Sequence, residues 1–306
     1  MNEYEVIVIG GGPAGLTAGL YSSRYGLKTL LVEQGMFGGQ IINARTVENY
    51  PGFPDGVSGM DLGQLMHDQS VKFGLQTINE EVTDFKTASD GFMINTGDSG
   101  YLAKSVIIAT GSNYKSLNVE GEGRLLGRGV SYCATCDGFL FKNMEVAVIG
   151  GGDTAVTDAL ELAEHARIVN VIHRRDQLRA SEVNQRQAFT QPKIKFIWDS
   201  VVTAIEGQDK VSSVKIRNVI TSQITDVPLS GVFVAIGLIP NSATFSNVVK
   251  LDENGNVVTD ELMCTSIPGV FAAGDIRRNS ARQVATAVGD GATAAKSAFR
   301  FVRGHD

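Results

Sequence analysis

An α/β fold with two Rossmann-like dinucleotide-binding domains is predicted by one pattern that occurs twice. Val6-Ile7-Val8-Ile9 leads into Gly10-Gly11-Gly12-Pro13-Ala14-Gly15, and Glu145-Val146-Ala147-Val148-Ile149 leads into Gly150-Gly151-Gly152-Asp153-Thr154-Ala155. Val6 to Ile9 is a continuous run of β-branched residues and Val146 to Ile149 a continuous apolar one, as suits a parallel strand buried on both faces. A glycine-rich turn after such a strand opens a helix whose free N–H groups and dipole favour a pyrophosphate. The length of 306 residues leaves room for two such domains.

In the first copy, helical spacing runs through Leu16, Leu20 and Tyr21 to Gly26, and a second strand covers Lys28 to Val32. Gly10 makes the turn, Gly12 admits a pyrophosphate, and Gly15 lets helix and strand pack closely. Glu33 ends the second strand, 23 residues after Gly10, where a carboxylate accepts from an adenosine ribose hydroxyl. A second glycine-rich loop, Gly35 to Gln40, comes next, then a turn-rich loop from Glu48 to Pro54. Met60 to Phe73 has helical spacing and is expected to bury Leu62, Leu65, Met66 and Phe73, with His67 solvated or packed. Strands are expected at Thr77–Phe85, Phe92–Thr96 and Ser105–Ala109, the last turning at Ala109-Thr110-Gly111.

The second copy has alanine, Ala155, in place of the packing glycine. Its helix runs through Ala159, Leu160, Leu162 and Ala163, and its second strand is Ile168–Ile172. The position 23 residues after Gly150 is His173, followed by Arg174, Arg175 and, further on, Arg179. An acid in this slot suits a free ribose hydroxyl, whereas arginines suit a 2′-phosphate, which points to NADPH over NADH.

Further strands are expected at Lys195–Trp198, Val211–Arg217 and Gly231–Ala235, the last leading into a crossing loop from Ile236 to Asn241. Gly269 to Asp275 reads as a strand ending in Gly-Asp, followed by Arg282-Gln283 and a small-residue helix from Val284 to Phe301. Asp275, at a strand end beside a helix N-terminus, is placed to hold cofactor hydroxyls.

Between the two fingerprints lies Cys133-Ala134-Thr135-Cys136-Asp137, holding two of the three cysteines. The loop such a pair closes is tiny, so a bridge there adds little stability and suits a pair that opens and closes. The setting also lowers a thiol pKa, making thiolate available near neutral pH. Half of a zinc site or two packed thiols are the alternatives. Zinc wants about four ligands, but Cys264 stands alone and His67, His165, His173 and His305 form no spaced cluster. The net charge of −6 gives no support to nucleic-acid binding. No apolar run is long enough for a signal or a membrane span, so a soluble cytoplasmic protein is expected.

Assembled, these residues resemble, over essentially the full length, the low-molecular-weight thioredoxin reductases of the pyridine nucleotide-disulfide oxidoreductase superfamily. The resemblance implies a discontinuous FAD-binding domain of residues 1–116 and 243–306, with an inserted NADPH-binding domain, 117–242, carrying the redox-active cysteines. It implies FAD contacts from Gly10, Gly12, Pro13, Ala14, Gly15, Glu33, Gln34, Gly39, Gln40, Asn49, Ala109, Thr110, Gly111, Gly274, Asp275, Arg282, Gln283 and Val284. NADPH is implied to lie against Gly150, Gly152, Asp153, Thr154, Ala155, His173, Arg174, Arg175, Arg179 and Ile236. Cys136 is expected to face the flavin, Cys133 to attack the substrate disulfide, and Asp137 to act as the acid. The implied partner is thioredoxin or a thioredoxin-like protein, and the implied assembly a homodimer without a metal. Two positions depart from the family: Ala281 stands where an aromatic often precedes Arg-Gln, and Leu140 follows Phe139 where two aromatics are common. Rival functions are a reductase of a peroxiredoxin-type system, a flavin-dependent dithiol oxidase, and a nucleotide-binding module with a structural cysteine pair. The order of the motifs also predicts a swing of the inserted domain about crossings near Tyr114–Asn118 and Pro240–Ala243.

Overall fold

The computed structural model describes residues 2–44, 46–97 and 99–304. The chain divides into two compact units, residues 1–113 with 239–306, and residues 114–238.

The first unit opens with β1 (Asn2–Ile9), which starts ahead of the apolar run because Asn2 to Tyr4 pair with Tyr101 to Ala103. Then come α1 (Pro13–Arg24), with proline at its first turn, and β2 (Thr29–Glu33). Ser58 caps α2 (Gly59–Lys72), its Oγ accepting from the Asp61 N–H at 3.0 Å. Leu62 is buried as expected, but Leu65 and Phe73 are 52% and 40% exposed. The contact face of α2 is instead set by small residues. The Ser70 hydroxyl donates to the Leu16 carbonyl at 3.0 Å, and a Cβ on Gly63 would stand 3.0 Å from the Gly38 Cα. Phe73 lies under the Arg24 guanidinium, 4.6 Å from the ring centroid.

The strand expected over Thr77–Phe85 is two strands, β3 (Gln76–Asn79) and β4 (Asp84–Ala88), at opposite edges of the sheet. Continuous alternation disguises the break, although Glu80 and Glu81 mark it. β5 (Gly91–Asn95) and β6 (Gly100–Ile108) follow, giving the order β3-β2-β1-β6-β5-β4. The chain then crosses to the second unit through β7 (Ser112–Tyr114).

There β8 (Val130–Ser131), the single-turn α3 (Ala134–Asp137), β9 (Glu145–Ile149), α4 (Asp153–His165) and β10 (Ile168–Ile172) follow in order. After α5 (Glu182–Thr190) and β11 (Ile194–Ile197) come β12 (Ser200–Glu206), β13 (Ser213–Asn218), β14 (Ile224–Pro228) and β15 (Gly231–Val234). A parallel sheet of order β11-β10-β9-β15-β8 carries the nucleotide fingerprint, and β12-β13-β14 form an antiparallel sheet beside it in sequence. Helix α5 buries only Ala188 and β14 is almost wholly exposed, so neither left an apolar pattern to read.

The return crossing, β16 (Leu238–Pro240), pairs with β7 as a two-stranded ribbon. β17 (Val270–Ala272) lies parallel to the end of β6, and α6 (Val284–Arg303) packs on α1. The continuous apolar runs are explained by burial on both faces. In β1, Val6 and Val8 enter one core while Ile7 and Ile9 enter the other; in β9, Val146 and Val148 part likewise from Ala147 and Ile149. Each of these buried valines and isoleucines contributes about 1.5–3 kcal/mol.

Candidate functional site

In the first unit the glycine turn is built by close approach. Gly10 has φ +106°, and a Cβ on Gly15 would stand 1.8 Å from the Gly10 carbonyl oxygen. Above Gly12 there is space, the nearest atom to an added Cβ being the Gly39 Cα at 3.9 Å. An anion can therefore approach the backbone at the start of α1, where unpaired N–H groups face outward. Pro13 begins that helix, and Ala14 is buried beneath Gly274, whose added Cβ would come within 2.9 Å of it. The Glu33 carboxylate ends β2 and accepts from the backbone N–H groups of Gly11 (2.6 Å) and Gly35 (2.7 Å). Each oxygen keeps lone pairs for a further donor such as a hydroxyl. Gln34 beside it is exposed.

Several distant stretches meet in this unit. Gln40 donates to the Asn113 side chain at 3.0 Å, while Asn49 donates to Gln283 Oε1, also at 3.0 Å. Gln283 caps α6 ahead of Val284, and Arg282 before it holds φ +57°. Thr110 and Asn241 are locked in both directions, Thr110 Oγ1 donating to the Asn241 carbonyl and Asn241 Nδ2 to the Thr110 carbonyl. Ala109 packs in the core against Gly10, and Gly111 turns with φ +64°. Asp275 accepts from the Ser280 hydroxyl at 3.0 Å, and burial pushes its carboxyl above the ordinary range. Its turn is anchored by Asp290 of α6, which accepts from the Gly274 N–H and pairs twice with Arg277, at 2.5 and 2.8 Å. Sequence reasoning passed over Asp290, Asn241 and Ser112. The Ser112 hydroxyl is buried with no hydrogen-bond partner among the described residues.

The second unit repeats the arrangement. Gly150 has φ +151°, and Ala155, fully buried, lies 2.8 Å from where its Cβ would be, so alanine takes the packing position. Above Gly152 an added Cβ would meet nothing within 4 Å. Asp153 Oδ1 accepts from the Ser181 N–H (2.8 Å) and Asn184 Nδ2 (2.9 Å), contacts that hold its carboxyl below its usual range, and Thr154 is exposed. His173 is 5% exposed and lies directly beneath Gly151, its Nε2 without a partner among the described residues. Burial, then the neighbouring arginines, lower its pKa, so it stays neutral while Arg174, Arg175 and Arg179 point their charges to solvent. Ile236 is half-buried against the core of this unit.

Cys133 and Cys136 form a disulfide across the single turn of α3, with their Cα atoms 5.3 Å apart. The Cys136 N–H points at Cys133 Sγ from 3.1 Å, and Cys136 is the more exposed of the two. Asp137 Oδ2 accepts from the Ser131 hydroxyl at 2.6 Å, and Ser131 Oγ in turn accepts from the Cys133 N–H at 3.0 Å. The serine two residues before Cys133 is the signal that sequence reasoning overlooked. Cys264 is a free thiol in the first unit, its pKa raised by burial, then by Asp260. His67 stacks on Phe37 with ring centroids 4.1 Å apart, and His305 lies outside the described residues.

A family described as pyridine nucleotide-disulphide oxidoreductase matches residues 4–291. Thioredoxin reductase from Listeria innocua is 44% identical over 300 residues, covering 98% of this chain and 94% of that one. That of Bacillus subtilis is 43% identical over 300 residues, covering 98% and 95%. The crystal structure of thioredoxin reductase from Streptococcus pyogenes superposes with a TM-score of 0.94 at 45% identity, covering 99% of each chain. The thioredoxin reductase of Giardia duodenalis also reaches 0.94, at 33% identity over 99% of this chain and 100% of that one. With a strand-turn-helix fingerprint in each unit and a disulfide beside the second, the chain belongs to the pyridine nucleotide-disulphide oxidoreductase family, in its thioredoxin reductase branch.

Proposed function

We propose that the chain is an NADPH-dependent thioredoxin-disulfide reductase whose Cys133–Cys136 disulfide is opened by electrons drawn from NADPH through FAD and passed to thioredoxin or a thioredoxin-like protein. The observation that carries this is a disulfide on a single helical turn, in the same unit as a glycine fingerprint whose acid position holds His173, followed by Arg174, Arg175 and Arg179. The open backbone above Gly12, the backbone-held Glu33 carboxylate and the unpartnered Ser112 hydroxyl fit FAD in the first unit. The open backbone above Gly152 and the exposed Arg174, Arg175 and Arg179 fit NADPH in the second. FAD supplies the two-electron relay that links hydride chemistry to thiol chemistry.

The side chains of this chain do the rest. Opening the bridge takes two electrons and two protons and leaves two thiols. Cys133 as thiolate attacks the substrate disulfide, forming a mixed disulfide, and Cys136 then closes on Cys133 and releases the reduced partner. Asp137, oriented by the Ser131 hydroxyl at 2.6 Å, is the acid that protonates the departing thiolate. A homodimer is carried over from the family resemblance, and a cytoplasmic location from the lack of a long apolar run in the sequence; among the described residues no helix is long and apolar enough to cross a membrane.

The test is the visible spectrum of the purified protein together with an NADPH-driven assay on thioredoxin. Flavin bands and turnover are expected. A colourless protein, or a flavoprotein that oxidises NADPH without reducing any thioredoxin-like disulfide, would sink the proposal.

A further inference from the structure

Glu122 is 4% exposed, yet it carries a carboxylate. Such a burial is tolerable only when every lone-pair direction finds a donor. Here four donors converge. Oε1 accepts from the Leu117 N–H and the Tyr132 hydroxyl, both at 2.8 Å, and Oε2 from the Ser116 hydroxyl (2.7 Å) and the Asn118 N–H (2.9 Å). Burial alone would push this carboxyl up, but the donors outweigh it and hold its pKa below the ordinary value. Tyr132 is pushed up to about 12, by burial and then by Glu122, so the phenol remains a donor throughout the working range.

The donors come from two places of different purpose. Ser116, Leu117 and Asn118 lie where the chain enters the second unit, and next to them Lys115 donates its N–H to the Gly237 carbonyl at 3.0 Å. Tyr132 is the residue before Cys133. Its ring also stacks on Tyr114, with centroids 4.9 Å apart. On the other side, Ser131 is tied to both the Cys133 N–H and Asp137. We propose that Glu122 is a positioning residue for the Cys133–Cys136 couple, acting through Tyr132: it fastens the backbone before Cys133 to the entry segment and so fixes where Cys133 stands relative to Cys136. A buried carboxylate with this many partners contributes little to stability compared with an apolar residue of the same size. What it confers is register between two segments that no sheet pairing joins.

This rests on the reductase reading, but its decisive test does not. The full-length Tyr132→Phe variant keeps the ring stack and loses only the hydroxyl. Equilibrated with glutathione buffers, its cysteine couple is expected to shift at least about threefold toward the dithiol, because the two thiols are held together less firmly. Reduction of a protein disulfide should slow about tenfold, the scale on which misplacing a reacting group counts, with flavin reduction by NADPH unchanged. Ser116→Ala removes a bond to the same carboxylate at the entry segment. Two backbone N–H anchors of the carboxylate remain, from Leu117 and Asn118, so the variant should lower Tm to a similar degree while moving the glutathione equilibrium clearly less than Tyr132→Phe does. An equilibrium unmoved in Tyr132→Phe, one moved equally by Ser116→Ala, or equal slowing of both half-reactions would overturn the proposal. Because the glutathione titration needs neither nicotinamide nor partner protein, a wild-type chain inactive on thioredoxin would refute the functional reading while leaving the titration to judge this one.

Discussion

Arg179 donates its backbone N–H to the carbonyl oxygen of Gly151 across 2.6 Å, so the basic loop after β10 is stitched to the glycine turn after β9. With His173 buried beneath Gly151, the three arginines are held beside the turn rather than left on a free loop. The segment from Arg174 to Arg179 thus behaves as part of the fingerprint.

Replacing Arg174 and Arg175 together with alanine should therefore raise KM for NADPH by at least about tenfold, since each charge-assisted contact with a phosphate contributes about 1.5–3 kcal/mol. KM for NADH should hardly change. Steady-state kinetics with both nucleotides decide it, and equal losses would show that the arginines do not read a 2′-phosphate.

Cys133→Ser and Cys136→Ser should each abolish reduction of a protein disulfide while flavin reduction by NADPH persists. Cys264 lies in the other unit, and its thiol pKa is raised by burial. Cys264→Ser should leave turnover within about twofold of wild type. Loss of activity in that variant alone would mean that the redox pair is misassigned.

The sequence was most legible where chemistry and sterics demand particular residue types. Gly10, Gly15 and Gly150 were readable because no other side chain fits beside a backbone carbonyl. The Cys133–Cys136 pair was readable from its spacing, and the strand Ile168–Ile172 from a β-branched run broken only by Asn170. Leu65 and Phe73 were misjudged because helical periodicity cannot say that Gly63 and Ser70 take the contact face of α2. Strands β3 and β4 were merged because alternation carries no information about which edge of a sheet a strand joins. Glu122, Asp290 and Asn241 went unread since each draws its meaning from partners far away in sequence or from loop backbone.

Asp158 on α4 predicts a dependence of stability on pH. Burial, then the like charge of Glu161 one turn later, pushes its carboxyl up to about 7. Between its unfolded value near 4 and pH 7 the native state holds the proton that the unfolded chain has lost, so stability falls as pH rises through that window. The loss levels off above pH 7 at about 4 kcal/mol at most. Asp158→Asn should therefore be more stable than wild type at pH 8 and indistinguishable near pH 4 by thermal unfolding. A difference that is the same at every pH would mean the carboxylate is not the cause.

Distances inside the second unit call for a motion. The disulfide on α3 precedes β9 in the chain, whereas Gly150 to Gly152 continue from that strand's other end. Five residues at about 3.3 Å each separate these ends by roughly 16 Å. Hydride transfer and thiolate formation both need near contact with the group that relays the electrons. Both ends of β9 cannot occupy one such place together. The chain enters and leaves the unit only through the ribbon of Ser112–Tyr114 and Leu238–Pro240, flanked by Gly111 and Gly237 at φ +64° and +109°. These crossings should act as hinges that present the two ends in turn, on the microsecond-to-millisecond scale usual for domain motions. Locking the units with a bifunctional crosslinker should stop one half-reaction and spare the other. A locked protein that kept both flavin reduction by NADPH and reduction of its own disulfide fast would rule the hinge out.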